Sequence, residues 1–264
     1  METLFHLPNN YLTDINRINF KSYNSRRRAQ IWASFNWLQK SEKVILLDIR
    51  EKILNKKILD IRVGGGRTTP FLLEMSKDYT AIDYSPSMVK VFKKKYPDLI
   101  IYHCDARNMS IFLDETFDFI LFSFNGIDYV FHSYRLDILM EIFRVLKNKG
   151  SFLFSSHNLD VASFNNYSVK LSRSQLSIKK IISFSLAKLN HKKNKRNEIH
   201  TNDYAIINDP GHTYSLMTYF ISINRQIQQL EEKGFSSVKA YNKHGKEVVS
   251  DTESEWIHYL AYKQ

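Results

Sequence analysis

The sequence predicts an α/β fold organised around a doubly wound, mostly parallel sheet. Between residues 58 and 156, short apolar segments alternate with longer segments of helical periodicity, as expected when helices connect parallel strands. The first apolar segment leads into Gly64, Gly65 and Gly66, directly before a predicted helix. Residues 117–124 are apolar almost throughout, which is typical of a strand covered by helices on both faces.

Five strands and their connecting helices follow in order through this region. The predicted strands cover residues 58–61, 79–83, 99–103, 117–124 and 151–156. After the second strand, Ser85 suits the N-cap and Pro86 the first position of a helix. Residues 134–147 carry apolar side chains at helical spacing, and Gly150 follows the end of that helix. With right-handed crossovers, these elements form one open parallel sheet.

The predicted core is flanked by three further segments. Residues 1–56 carry two apolar faces at helical spacing, and residues 159–222 are too long for a plain crossover. The predicted boundaries are 1–56 for an N-terminal helical segment, 57–158 for the core, 159–222 for an inserted cap, and 223–264 for a C-terminal segment that completes the core.

Two features are predicted inside the cap. Residues 203–207 and 214–221 flank the turn sequence Asp209-Pro210-Gly211 and are expected to pair as a hairpin. The basic run at residues 188–196 is expected to be a solvated loop, because consecutive like charges repel each other.

Composition limits the class of protein. The 264 residues are 43% hydrophobic, which indicates a folded chain with a large core. Cys104 is the only cysteine, so an intrachain disulfide is excluded. With neither a signal-peptide pattern nor a membrane-length apolar run, we expect a cytoplasmic protein that does not engage a membrane. The net charge of +11 is compatible with a nucleic-acid partner, but a compositional bias towards lysine accounts for it as well. Nothing in the sequence indicates an oligomeric state.

The glycine-rich turn resembles the first motif of class I S-adenosylmethionine-dependent methyltransferases. In that pattern, acidic-x-Gly-x-Gly-x-Gly, Asp60 takes the acidic position, and Gly64 and Gly66 take the second and third glycine positions. Arg62 stands where the first glycine is expected, and its side chain could either crowd the cofactor or point outward. The resemblance covers residues 50–158 and, more weakly, 223–264. It implies a Rossmann-like sheet of seven strands with one antiparallel edge, a lid formed by the N-terminal helices, and S-adenosylmethionine as cofactor.

Acidic residues at two further strand ends fit this cofactor. Asp83 ends the second strand, 23 positions after Asp60, where dinucleotide folds place a carboxylate on ribose hydroxyls. By the resemblance, Asp105 after the third strand accepts a hydrogen bond from the adenine amine. The residues expected to contact the cofactor are Asp60, Gly64, Gly66, Asp83, Tyr84, Met88, Asp105, Ala106, Phe124 and the lid residue Tyr23.

Catalytic candidates lie at the carboxyl ends of the fourth and fifth strands and in the cap. Methyl transfer requires a base only when the acceptor carries a proton at neutral pH. The candidates are Asn125, Asp128, His132, His157, His212 and Tyr214. His157 and His212 are preferred as acid/base groups because imidazole titrates near neutral pH. The histidines and Cys104 lack metal-ligand spacing, so no metal site is predicted.

Three functions are consistent with these residues. The preferred one is methyl transfer from S-adenosylmethionine to an oxygen or nitrogen of a small molecule held in the cap. The second is methylation of RNA, which the positive charge favours but no separate RNA-binding module supports. The third is a non-catalytic protein on the same scaffold, in which Arg62 has altered the cofactor loop.

Overall fold

The computed structural model describes residues 14–161 and 178–264. The strands of this part of the chain are β1 (Ile58–Ile61), β2 (Tyr79–Asp83), β3 (Ile100–His103), β4 (Phe117–Phe122), β5 (Leu146–Asn158), β6 (Ile199–His200), β7 (Tyr204–Ile207), β8 (Thr218–Ile221), β9 (Phe235–Tyr241) and β10 (Trp256–Lys263). The α-helices are α1 (Asp14–Tyr23), α2 (Arg26–Ala33), α3 (Lys40–Asp48), α4 (Arg50–Ile53), α5 (Thr69–Met75), α6 (Pro86–Lys95), α7 (His132–Val145), α8 (Ile178–Asn194) and α9 (Ile223–Glu231).

The strand order confirms the predicted fold class. Strands β3, β2, β1, β4 and β5 pair in that order and run parallel. Strand β10 lies antiparallel to β5, and β9 lies antiparallel to β10. The order reverses direction between β1 and β4, so the carboxyl ends of β1, β2 and β4 open onto one crevice, where such sheets bind ligands.

Both faces of the sheet are buried, as the apolar fourth strand predicts. Alternate residues of β4 enter two hydrophobic clusters, with Ile120 and Phe122 in one and Phe119 and Leu121 in the other. Helices α7 and α9 contribute to the first cluster, and α3, α5 and α6 contribute to the second. This two-sided packing fixes the strand ends that carry the candidate site.

The cap contributes three more strands to the same sheet. Strand β8 pairs in parallel with the last residues of β5, where His157 lies opposite Phe220. Strand β7 pairs antiparallel with β8, and β6 pairs with β7. The expected hairpin therefore forms, but its second strand begins at Thr218 rather than at residue 214. The cap strands extend the sheet beside the end of β5 that carries His157.

The prediction of a solvated loop at residues 188–196 is wrong. Helix α8 continues to Asn194, and Lys192 and Lys193 remain exposed on its outer side. The amide of Asn194 donates to the carbonyl oxygen of Tyr214 at 3.0 Å, and the amide of Asn190 donates to that of Thr213, also at 3.0 Å. These polar side chains anchor the helix, and the lysines keep their charges in water.

Candidate active site

The turn between β1 and α5 has a backbone that only glycine adopts easily. Gly64 and Gly66 have φ angles of +58° and +81°. A Cβ atom on Gly66 would lie 2.5 Å from a ring carbon of Tyr96, so a side chain has no room there. The amide of Gly64 donates a hydrogen bond of 2.9 Å to the carboxylate of Asp83, which ties the turn to the end of β2.

Asp83 is almost fully buried, at 1% exposure, and is held by backbone groups. One carboxylate oxygen accepts from the Gly64 amide, and the other accepts from the amide of Ser85 at 2.8 Å. Burial raises the pKa of this carboxyl above its usual range, and the two backbone hydrogen bonds oppose that rise. Asp83, Tyr23 and Met88 line a small hollow beside the turn, which we call the third hollow.

Asp60 lies behind the turn rather than in the crevice. Its Oδ2 accepts hydrogen bonds from the Thr68 hydroxyl at 2.8 Å and from the Tyr79 hydroxyl at 3.0 Å. Its Oδ1 is buried and has no hydrogen-bond partner among the described residues. Burial raises the pKa of Asp60 to about 7. Asp60 borders none of the three hollows beside the turn, and its hydrogen bonds to Thr68 and Tyr79 brace the turn from behind.

An apolar hollow, the first hollow, has a volume of about 120 Å³ and lies beside β2, β3 and β4. Tyr84, Asp105 and Ala106, three of the residues expected to contact the cofactor, line it. The carboxylate of Asp105 is paired with Arg107, whose Nη2 lies 2.5 Å from Oδ2. Sequence reasoning missed Arg107, because a basic residue two positions after an aspartate is common in surface turns.

A second hollow lies on the other side of the glycine turn. Gly64, Gly65 and Phe124 line it with Trp32 of helix α2. The Phe124 ring packs edge-on against Trp32 with a centroid distance of 5.7 Å. Helix α2 thus covers this side of the turn, consistent with the proposed lid.

Arg62 separates the three hollows and borders each of them. Its backbone has a φ of +56°, the region that favours glycine. The guanidinium carbon lies 3.8 Å from the ring centroid of Tyr23, 4.9 Å from that of Tyr129 and 5.6 Å from that of Tyr84. Of the two orientations that the sequence left open, the structure therefore shows the inward one.

His157 meets Asp128 at the carboxyl ends of β4 and β5. Its Nδ1 lies 2.8 Å from Asp128 Oδ2, and its Nε2 lies 3.3 Å from the amide nitrogen of Asn125. Asp128 is fully buried and forms an ion pair of 2.5 Å with the equally buried Arg135. Nothing in the sequence marks Arg135, because it sits inside an otherwise ordinary amphipathic helix. The expected partner His212 belongs to the short turn Gly211–Tyr214, and its side chain lies outside the described residues.

His132 has a structural role instead of a catalytic one. Its Nδ1 lies 2.9 Å from the Tyr219 hydroxyl, and its ring stacks on Tyr204 with a centroid distance of 4.1 Å. Burial lowers its pKa.

The described part of the chain contains neither a metal site nor a membrane span. Within residues 14–161 and 178–264, His, Cys, Asp and Glu side chains form no group of three that could hold a metal ion. Across the same residues, none of the helices has the length and apolarity needed to span a bilayer.

Comparison with known proteins decides the family. Residues 58–150 match a family model described as a methyltransferase domain. A demethylmenaquinone methyltransferase of Paenarthrobacter aurescens is 31% identical over 111 residues, which span 42% of this chain and 42% of that protein. Residues 58–150 therefore carry a methyltransferase domain that is similar to those of class I S-adenosylmethionine-dependent enzymes.

Solved structures of methyltransferases share the whole fold. One, from Thermotoga maritima, is described as a possible histamine N-methyltransferase; it has 17% identity and a TM-score of 0.57, with 95% of this chain and 100% of that chain covered. Another, the 1,6-didemethyltoxoflavin N1-methyltransferase of Burkholderia thailandensis, has 12% identity and a TM-score of 0.58, covering 100% of this chain and 93% of that chain. At such low identity the likeness establishes the fold alone.

S-adenosylmethionine is the cofactor of this methyltransferase family, and the residues of the crevice fit its adenosine half. Asp83 and Asp105 supply carboxylates at neighbouring strand ends, and the first hollow, which Asp105 lines, is apolar. The middle of the crevice is filled by Arg62 and Tyr23. Small-molecule sites usually span about 300 Å³ or more, whereas the first hollow has about 120 Å³. In the described conformation these two side chains close the middle of the crevice, and they must move before a cofactor can occupy it.

Proposed function

We propose that this methyltransferase transfers a methyl group from S-adenosylmethionine to an oxygen or nitrogen atom of a small molecule. The pairing of Asp128 with His157, at the edge of the sheet where the cofactor crevice opens, is the observation that carries the proposal. The toxoflavin enzyme of similar fold, whose structure contains a small-molecule substrate, supports this class of acceptor.

His157 is suited to removing a proton from the acceptor. When Nδ1–H donates to Asp128, the lone pair of the neutral ring is at Nε2. In this tautomer Nε2 accepts a hydrogen bond of 3.3 Å from the side-chain amide of Asn125, which the acceptor has to displace. The residues on either side of Asn125, Phe124 and Gly126, line the second hollow. A hydroxyl or ammonium acceptor must lose a proton during methylation, and Nε2 takes it.

Asp128 fixes the orientation of that base. Its Oδ2 accepts from both the backbone amide and Nδ1 of His157, at 2.7 and 2.8 Å. Its Oδ1 accepts from Arg135 and from the Ser156 hydroxyl. With both oxygens engaged, the carboxylate holds the imidazole in one tautomer.

The cofactor supplies an electrophilic methyl group on a sulfonium, and the chain supplies its binding. We assign the ribose hydroxyls to Asp83, the adenine to the first hollow with Asp105 and Ala106, and the cover over the cofactor to Tyr23, Tyr84 and Met88. A closed site of this kind keeps water away from the reacting atoms and holds the acceptor in line with the methyl carbon.

Methyl-labelled S-adenosylmethionine and a cell extract that contains both small molecules and RNA test the proposal. The wild-type protein is expected to transfer label to extractable small molecules. Replacing His157 with glutamine is expected to slow this transfer by roughly 100-fold or more, as loss of a general base does, while calorimetry shows unchanged cofactor affinity. His200→Gln is the matched control, because that side chain lies on β6 and is 63% exposed.

Three results would contradict all or part of the proposal. Label that appears only in RNase-sensitive material would favour the RNA alternative. Absence of cofactor binding by the wild-type protein would favour the non-catalytic alternative. An unchanged rate for His157→Gln would reject the base while leaving methyl transfer intact.

A further inference from the structure

Three tyrosine rings enclose the buried cation of Arg62 in the middle of the crevice. Tyr23 comes from helix α1, Tyr84 follows β2, and Tyr129 ends the short turn after β4. All three ring centroids lie within 6 Å of the guanidinium carbon, the range over which a cation is attracted to an aromatic face. The three rings are called the tyrosine cage below.

The guanidinium of Arg62 nevertheless lacks part of the hydrogen bonding that a buried arginine normally has. Its Nη1 donates to the carbonyl oxygen of Gly126 at 2.5 Å, but its Nη2 is buried without a hydrogen-bond partner among the described residues. The nearby carboxylate of Asp83 is engaged by the amides of Gly64 and Ser85. A buried charge ordinarily needs an ion partner, and a φ of +56° adds backbone strain.

The cage itself is well matched to a cation that is only weakly hydrated. It combines three aromatic faces with the inward carbonyl oxygen of Gly126, and it adjoins all three hollows through the space that Arg62 fills. Aromatic cages bind cations of low charge density, such as quaternary ammonium groups, for which water is a weak competitor. A sulfonium has the same character.

We propose that the tyrosine cage is the binding site for the sulfonium of the cofactor, and that Arg62 occupies it as an internal substitute cation in the ligand-free protein. This inference rests on the proposed use of S-adenosylmethionine. Cofactor binding expels the guanidinium to solvent and replaces it with the sulfonium. The site therefore discriminates by charge, favouring S-adenosylmethionine over the neutral product S-adenosylhomocysteine.

Calorimetry with three ligands separates the two parts of the inference, namely that the cage binds a cation and that Arg62 competes for the cage. S-adenosylmethionine carries the sulfonium, sinefungin carries an ammonium near the same place, and S-adenosylhomocysteine is uncharged there. Arg62→Gly removes the internal cation at a position whose φ suits glycine, so all three affinities are expected to rise by roughly tenfold. Lys149→Gly is the matched control, since it also removes one positive charge at a positive φ, 64°, but lies away from the crevice.

Cage variants are made in the Arg62→Gly background. Tyr129→Leu is expected to weaken S-adenosylmethionine and sinefungin by roughly tenfold, as loss of a desolvated cation–π contact does, and to leave S-adenosylhomocysteine nearly unchanged. Tyr129→Phe keeps the aromatic face and is expected to preserve the preference for cations. A folded thermal transition for each variant precedes the titrations.

The outcomes distinguish this inference from the proposed function. If all three ligands bind with equal affinity, or if Tyr129→Leu weakens them equally, the cage is not a cation site, although cofactor binding stands. If Arg62→Gly and Lys149→Gly behave alike, Arg62 is not a competitor. If neither the wild type nor Arg62→Gly binds any of the ligands, the proposed function fails and the inference fails with it.

Discussion

At the scale of single residues, Asp60 shows how a site can depend on a group that does not touch the ligand. Its carboxyl is completely buried, and hydroxyls of Thr68 and Tyr79 satisfy only one of its oxygens. Because burial penalises the charged form, its pKa rises to about 7. The glycine turn is therefore braced by a group that costs stability whenever it ionises.

The sign of this cost gives a pH-dependent prediction. Between its ordinary pKa near 3.8 and about 7, the folded protein binds a proton that the unfolded chain has lost. The contribution of Asp60 to the free energy of unfolding therefore falls as the pH rises from about 3.8 to about 7. Asp60→Asn cannot ionise, so we expect its free energy of unfolding, relative to the wild type, to improve by roughly 2 kcal/mol between pH 5 and pH 8.

Urea titrations of both proteins at the two pH values measure this difference. Asp98→Asn is the control, because the side chain of Asp98 is exposed to water in both the folded and the unfolded state. A difference between wild type and Asp60→Asn that stays constant with pH would show that Asp60 titrates normally.

Residue-level prediction succeeded where the backbone dictated the residue. Gly64 and Gly66 follow from their positive φ angles, and Asp83 follows from its distance along the chain from the turn. The direction of Arg62 could not be read from the sequence, because it depends on tyrosines supplied by three separate segments. The ion pair of Arg135 with Asp128 was equally invisible, since its members face each other only after α7 packs on the sheet.

At the scale of elements, helix α2 is docked directly on the glycine turn. A Cβ atom on Gly65 would lie 2.3 Å from the Cα of Ala33, so the two backbones are in contact. Gly65→Ala should push α2 outward and cost about 1–3 kcal/mol, the usual range for overpacking. Hydrogen exchange of residues 14–33 is expected to become faster in this variant, while exchange in β4 and β5 changes much less.

Gly150→Ala provides the comparison for that experiment. Its Cβ would also be crowded, at 2.8 Å from a methyl carbon of Leu146, but at the opposite end of the sheet. Both variants should lose stability, and only Gly65→Ala should release α1 and α2 selectively. Identical exchange patterns would mean that α2 is held by contacts other than the turn.

The elements themselves were predictable to the extent that local pattern determined them. Strands β1, β2 and β4 were found because continuous apolar runs ended in turn residues. Helix α8 was cut short in the prediction, because a run of lysines looks like a loop until Asn190 and Asn194 find backbone partners in the cap. The pairing of β8 with the end of β5 joins distant segments and leaves no local signature.

At the scale of the whole molecule, one buried amide connects the N-terminal helices to the cap and the core. Asn19 of α1 is 1% exposed. Its Nδ2 donates to the carbonyl oxygens of Met217 and Tyr129, at 2.7 and 2.9 Å, and its Oδ1 accepts from the amide of Met217 at 2.9 Å. Through this amide, α1 is hydrogen-bonded both to the residue before β8 and to the turn after β4.

Asn19→Asp tests that coupling with little change in shape. The aspartate keeps the acceptor for the Met217 amide but directs a carboxylate oxygen at two carbonyl oxygens, which costs about 2–4 kcal/mol. We expect the Tm to fall and exchange to accelerate together in α1 and in residues 214–221. Asn108→Asp is the control, since Asn108 is exposed and uses only its Oδ1, which an aspartate retains. Faster exchange confined to α1 would show that the cap is held to the sheet by β8 alone, and that the lid opens without it.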